Sequence, residues 1–343
     1  MKNKLFVTML VLTCILATVL TGCKSKDNNN AENGSINNET VDNANQSGTN
    51  DDSKDTSQNN DETVIVNDVR GEVEIPANPQ RIVDLSGNSD ILSILGYKVV
   101  GTANSDAYDY TKFPSYLEDV LEGATILGYS MQDTMDIEAV MNVEPDLIII
   151  STVQEKMYDQ LKEIAPTVMI ELEALNWKDD IMTIAKVFNK EDVATAWIKE
   201  YEEKAKAAGD AIKSMNGEDK SYLSFLASSG QFFVFGGAGF GSVLYEDMGL
   251  NIPAGMPEQS NISLPVVTYE GLAAIDADYI FLIATKEDLA ELESNAIWNN
   301  LNAVKEGNVV VLDSSPYFNQ GYSPIGRELL LDEIVGMLDE IKK

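Results

Sequence analysis

No histidine occurs in the 343 residues, and cysteine appears only at Cys14 and Cys23. Without histidine, neither a Ser-His-Asp nor a Cys-His catalytic arrangement can be built, and haem on a proximal histidine is excluded. A zinc site would need cysteine or carboxylate ligands alone, and two cysteines make no cluster. Arginine is scarce, at Arg70, Arg81 and Arg327 only. Basic residues number 24 against 56 acidic ones, a formal net charge of −32. Nucleic acid, whose phosphates need a basic face, is therefore an unsuitable partner. What is present suits a folded protein: 44% of residues are hydrophobic and aromatics are included. The length suggests two domains or lobes.

Residues 1–22 read as an export leader. Lys2 and Lys4 form a positive start, and Leu5 to Leu20 is almost wholly apolar. The run ends Leu20-Thr21-Gly22-Cys23, a lipobox of small residues before a cysteine. At about 16 residues the run is shorter than the ~20 of a membrane span. Processing is expected to remove Cys14 and to leave Cys23 as an acylated first residue, with no thiol pair for a disulfide. Two acyl chains on one cysteine anchor a protein stably. Residues 23–62 then read as the lipidated cysteine and a disordered tether. Positions 24–62 hold 11 Asn, nine acids and three Lys, too little apolar surface to fold. As a coil such a segment spans about 35 Å.

From Thr63 the pattern changes. Val64-Ile65-Val66 and Val73-Glu74-Ile75 bracket a turn and predict a hairpin. Short apolar strands then alternate with helical stretches, among them Leu147-Ile148-Ile149-Ile150 and Val168-Met169-Ile170, the α/β signature. Glu191 to Met215 predicts one long helix, with Val193, Trp197 and Tyr201 at i+4 spacing. At ~37 Å it is long enough to cross from one lobe to another. Strands resume at Tyr222–Leu226, Phe232–Phe235, Tyr279–Leu282 and Val309–Leu312, and a closing helix is expected over about 326–342. The expected organisation is an N-terminal lobe over 63–190, a connecting helix over 191–215 and a C-terminal lobe over 216–343.

An internal repeat supports two lobes. Ile137 to Ile149 precedes the long helix and Tyr269 to Phe281 follows it. In each, a Glu (Glu138 or Glu270) near a helix start precedes by eight residues an Asp (Asp146 or Asp278) that opens an apolar strand. Helical periodicity buries Val140 and Val143, or Leu272 and Ile275, and leaves each Glu outward.

Together the lipobox, the tether, Pro79-Gln80-Arg81-Ile82-Val83, Glu138 through Glu144-Pro145-Asp146-Leu147-Ile148-Ile149, the long helix and Tyr269-Glu270-Gly271-Leu272 resemble the substrate-binding lipoproteins of iron-siderophore ABC importers. The stretch Glu155–Val168, Trp177-Lys178-Asp179-Asp180 and Leu301–Gly307 are similar to the Gram-positive ferric-hydroxamate receptors. The resemblance covers about 63–343. It implies two similar α/β lobes joined by one helix, the helical-backbone (class III) binding-protein fold, with a shallow cleft and limited hinge motion. It also implies that Glu138 and Glu270 dock the basic residues of a permease dimer, one per lobe. The hydroxamate receptors carry a cleft arginine two residues before the Glu-Lys-x-Tyr run, where this chain has Val153.

Aromatic residues gather in segments expected at strand ends, where α/β proteins bind ligands. Candidate ligand contacts are Tyr108, Tyr110, Tyr129, Met131, Phe235, Phe240, Phe318 and Tyr322. Phe318 stands where the resemblance places a ligand-stacking tryptophan. Trp177 matches a family tryptophan and reads equally as packing at a helix start. Arg327 is the one arginine placed to approach the cleft, or else lies on a helix surface. The glycine-rich turn at Gly236-Gly237 lacks the Lys-Ser/Thr pair of a phosphate loop.

The expected function is capture of a ferric siderophore, of hydroxamate type, and its delivery to an ABC permease. No enzymatic role, resident cofactor or protein metal site is expected; iron enters only within the cargo. The expected protein is a monomer lipid-anchored on the outer face of a Gram-positive cytoplasmic membrane. A related importer's haem or corrinoid carrier is the alternative, with Met131 or a tyrosine as iron ligand. An extracytoplasmic carboxylate-dependent hydrolase is the alternative of another class, though no acid pair stands out. Without the leader's two lysines and the tether's three lysines and nine acids, 19 basic and 47 acidic residues remain, near −28. Such a field favours a neutral or cationic ferric complex over a trianionic catecholate.

Overall fold

Every residue of Leu147–Ser151, and every residue of Tyr279–Ala284, is buried. Strands that are apolar on both faces must be covered on both, as in a sheet flanked by helices. The structure is a computed structural model and describes residues 62–342 apart from 173, 174 and 276. The expected leader, Cys23 and the tether through residue 61 lie outside the described residues.

An antiparallel hairpin, β1 (Thr63–Asp68) and β2 (Gly71–Pro76), opens the described chain. Asp68 shapes its turn by accepting from the N–H groups of Arg70 and Gly71, and its other oxygen accepts from Met169 N at 2.9 Å. There follow β3 (Ile82–Asp84), α1 (Ser89–Ile94), β4 (Val99–Thr102), β5 (Thr125–Ile126), α2 (Ile137–Asn142), β6 (Leu147–Ser151), α3 (Tyr158–Leu161), β7 (Thr167–Ile170) and α4 (Trp177–Val187). Their five strands form a wholly parallel sheet in the order β5-β4-β3-β6-β7.

Helix α5 (Glu191–Asn216) comes next, about 39 Å long at the α-helical rise. Its buried stripe is Ala194, Tyr201, Ala205, Gly209 and Ile212; Val193, expected on that stripe, is 40% exposed. Gly209 is required, because a Cβ there would meet the Met248 carbonyl oxygen at 1.8 Å. The second lobe contains β8 (Tyr222–Ser228), β9 (Gln231–Val234), α6 (Gly239–Ser242), β10 (Val266–Val267), α7 (Tyr269–Ala274), β11 (Tyr279–Ala284), α8 (Lys286–Glu293), α9 (Asn302–Glu306), β12 (Val309–Asp313), α10 (Ser314–Gln320) and α11 (Pro324–Glu340). Its sheet order is β10-β9-β8-β11-β12. Here β9 is antiparallel to β8 and to β10, while β8, β11 and β12 are parallel. The last helix starts before the expected Gly326, because Ser323 caps it and Pro324 suits its first turn.

Side-chain alternation distributes the core. On β6, Leu147 and Ile149 join a central cluster that also takes Tyr201 and Ile212 of α5, while Ile148 and Ile150 face a cluster confined to the first lobe. On β11, Tyr279, Phe281 and Ile283 join the same central cluster, and Ile280, Leu282 and Ala284 face a cluster confined to the second lobe. The central helix thus shares one core with both sheets.

The repeat acquires a physical role. Asp146 accepts from Gln80 N at 2.7 Å and Arg81 N at 2.9 Å, just ahead of β3. Asp278 accepts from Ser221 N and Ser221 Oγ, both at 2.9 Å, just ahead of β8, and from Lys220 Nζ. Each Asp pins the start of its own strand to the neighbouring parallel one.

Candidate functional site

Loops at the carboxyl ends of strands in both sheets surround one cavity of about 640 Å³. Gly87 and Asn88 follow β3, Asn104 and Ser105 follow β4, and Tyr129 to Met131 follow β5. Leu226, Ser228 and Phe233 come from β8 and β9, and Phe318 to Ser323 close the wall after β12. The volume is that of a small-molecule site.

Buried acids shape the first-lobe wall. Asp84, at the end of β3, accepts from the N–H and hydroxyl of Ser86, from Asn88 N and from Ser89 Oγ. Burial nevertheless pushes its carboxyl up from the usual range. Gly87, at φ +85°, lets this loop lie against the next one, since a Cβ there would meet Ser130 Cβ at 2.4 Å. Asp106 holds the loop that carries Tyr108 and Tyr110, accepting from Tyr108 N and Asp109 N and, across the cleft, from Ser315 Oγ at 2.5 Å. Asp90 accepts across the cleft from Ser323 Oγ, also at 2.5 Å. Desolvation dominates at Asp90 and pushes its carboxyl up to about 6.

Aromatic rings gather at the cleft, and one ring pair crosses it. Tyr110 stacks on Tyr129 with centroids 5.0 Å apart, and Asn319 Nδ2 lies 3.5 Å from the Tyr129 hydroxyl. Tyr108 meets Phe318 edge-on at 6.2 Å. Burial raises the phenols of Tyr108, Tyr116 and Tyr129, and pushes Tyr322 up to about 12. All therefore stay protonated at neutral pH and can donate hydrogen bonds to a ligand's oxygen atoms. Among the described residues no lysine or arginine lines the cavity, and Asp90 is the one carboxylate that does.

Of the expected contacts, Tyr129, Met131, Phe318 and Tyr322 line the cavity, and Tyr108 and Tyr110 sit half exposed against lining rings. Four others do not reach it. Trp177 is buried against Trp197 and Tyr201 on α5. Phe235 is buried behind Phe318, and Phe240 packs on Phe281 of β11. Arg327 is neither in the cleft nor on a surface. It is 3% exposed, pairs with Asp247, donates to Ser242 Oγ and lies over the Trp177 ring. The interior has better uses for these large groups, since each buries apolar area or neutralises a buried acid. The glycine-rich turn is likewise committed, its Gly236 and Gly237 N–H groups donating to Gln259 Oε1.

Sequence reasoning missed Asp90, Tyr116, Phe233 and the stretch Ile262-Ser263-Leu264 on the wall. Asp90 reads as an ordinary acid in a helix's first turn. Tyr116 carried the same aromatic signal as its neighbours. Glu138 and Glu270 occupy the first turns of α2 and α7, capped by Asp136 and Thr268, and both are exposed. Neither carboxylate forms an ion pair with a described residue. A smaller cavity of about 310 Å³ lies wholly in the second lobe among Ala273, Ile280, Leu301 and their neighbours, and holds none of the expected contacts.

A family model described as periplasmic binding protein matches residues 88–316. The probable siderophore-binding lipoprotein YfiY of Bacillus subtilis (strain 168) is 31% identical over 273 residues, covering 75% of this chain and 82% of the relative. The iron(3+)-hydroxamate-binding protein FhuD of the same organism is 32% identical over 267 residues, covering 75% and 81%. Among solved structures, unliganded FhuD2 from Staphylococcus aureus superposes with a TM-score of 0.68 at 26% identity, covering 82% of this chain and 100% of that one.

Proposed function

The chain belongs to the periplasmic binding protein family, and from that premise we propose that it captures a ferric hydroxamate siderophore outside the membrane and delivers it to the permease of an ABC importer. One observation carries the cargo class: an interlobe cavity of about 640 Å³ with rings, hydroxyls and amides on its wall and no cationic side chain among the described residues. Three hydroxamates neutralise ferric iron, so such a complex can enter without a counter-cation. A tris-catecholate is trianionic and would need several. The relatives named for siderophore and iron(3+)-hydroxamate binding support the same class. Iron is then cargo, and the protein needs no resident cofactor. The hydrolase reading gains nothing, because a glycosidase-type site needs two carboxylates and Asp90 is the one carboxylate on the wall among the described residues.

Around that core, Cys23 carries the lipid that holds the mature monomer to the outer face of the cytoplasmic membrane, with 24–62 as tether. Glu138 and Glu270, exposed at equivalent places of the two lobes, meet basic residues of the permease subunits. The test is quenching of intrinsic fluorescence by ferrioxamine, ferrichrome, a ferric tris-catecholate and haem. Submicromolar binding of a ferric hydroxamate is expected; tight binding of the catecholate or haem with no hydroxamate response would overturn the proposal.

A further inference from the structure

We infer that Asp90 is a specificity-determining residue and that the preferred cargo carries a cationic amine which this carboxylate meets. The inference rests on the siderophore reading and narrows its cargo class.

Asp90 lies in α1, is 1% exposed and yet contributes to the cavity wall. One oxygen accepts from Ile91 N at 2.9 Å and the other from Ser323 Oγ at 2.5 Å. The ionisable groups facing it are Asp84 from β3 and Tyr116 from the segment before α2. From α11 it receives only the Ser323 hydroxyl and the Ile325 backbone N–H. Arg327, one turn further along α11, is already taken by Asp247. A buried carboxylate held by a hydroxyl and amides, with no cation beside it, is costly.

Elsewhere this chain does supply the cation: Lys220 to Asp278, and Arg327 to Asp247. At the cavity no described residue does, and a ligand can. A ferric trihydroxamate core is neutral, so its side arms set the charge of the complex. An ammonium on one arm would give Asp90 its missing partner. A neutral arm leaves the acid as it stands, and an anionic arm adds repulsion.

The test uses the iron-loaded complexes of one linear trihydroxamate with a terminal primary amine and of its N-acetylated form, titrated by fluorescence quenching at pH 7.5. Wild type should bind the amine form about tenfold tighter or more, the size of one charge-assisted hydrogen bond. Asp90→Asn, which keeps an acceptor for Ser323, should weaken the amine form alone and remove the preference. In wild type, with no substitution needed, the preference should shrink as pH falls through about 6, where Asp90 protonates. Equal binding of both forms by wild type, or a preference surviving in Asp90→Asn, overturns this inference and leaves the siderophore reading standing. Failure of both forms and of neutral ferrichrome to bind removes the siderophore reading, and this inference with it.

Discussion

The two lobes open their central strands in the same way and treat their buried acids differently. Asp146 and Asp278 each fasten the N–H groups ahead of the strand beside them. Beyond that point the lobes diverge. The first sheet is parallel throughout, its β3 to β4 crossover made by α1, and that crossover brings Asp90 to the cavity, with Asp84 buried just behind it at the end of β3. The second lobe replaces the crossover with a β8–β9 hairpin and has no counterpart of α1 there. Its buried acid, Asp247, lies instead against α5 and α11, where Arg327 reaches it. A helical crossover thus puts an acid without a counter-cation where a ligand arrives, while the interior neutralises its own.

The largest test of that contrast is Arg327→Ala. It leaves Asp247 buried and unpaired, and should cost about 3–5 kcal/mol in urea denaturation. Arg327→Met with Asp247→Leu should cost far less, because no lone charge remains. A loss below about 1 kcal/mol for the single substitution would show that the pair is not an interior unit.

Asp90→Asn should act in the opposite direction. Its folded carboxyl titrates near 6 against an ordinary 3.8, so the folded chain holds that proton more tightly than the unfolded one. Ionised Asp90 therefore costs stability above pH 6, and the cost is relieved as pH falls from about 6 towards 3.8. Asp90→Asn should stabilise by up to about 3 kcal/mol at pH 7.5, with the gain vanishing near pH 4. Thermal melts of both proteins from pH 4 to 8 would show it; a constant difference across that range would be the contrary result.

Asp146→Ala and Asp278→Ala test what the lobes share. Each removes a carboxylate from backbone N–H groups at a strand start, and each should cost about 1–2 kcal/mol. Only the second lobe adds a cation. Although partial burial works against it, the Lys220 and Ser221 hydrogen bonds hold the Asp278 carboxyl below its usual value. Its contribution is thus present above pH 3.8 and is lost as pH falls through the lowered value. A much smaller loss at one site than the other would break the equivalence.

The smallest effect on the fold should come from Glu138→Lys with Glu270→Lys. Both carboxylates are exposed, so stability should move by no more than about 0.5 kcal/mol and cargo binding should not change. Uptake by whole cells should nevertheless fail, since an interface charge governs docking rate and register. Normal uptake would remove the docking assignment.

The fold was legible because its signals are local. Leu147–Ile150 and Tyr279–Leu282 are too apolar to lie anywhere but inside a covered sheet, and the Glu-to-Asp spacing repeats within short windows. The cavity was less legible, because an aromatic side chain announces how much area it needs to bury and not which neighbour will cover it. Tyr129 and Phe318 reached the wall while Phe235 and Phe240, from a segment with the same aromatic signal, went inside. Arg327 shows the same limit for charge, since its partner Asp247 lies 80 residues away.

Composition alone removed histidine chemistry, made the body acidic and left only three arginines. Local pattern made the strands, the long helix and the paired Asp clamps. Which acid would meet a cation, and which would face the cavity, was decided only when the chain closed: Asp90 and its partner Ser323 are 233 residues apart. Burial and the identity of a neighbour both arise from packing distant segments together, and those two quantities set a carboxylate's charge.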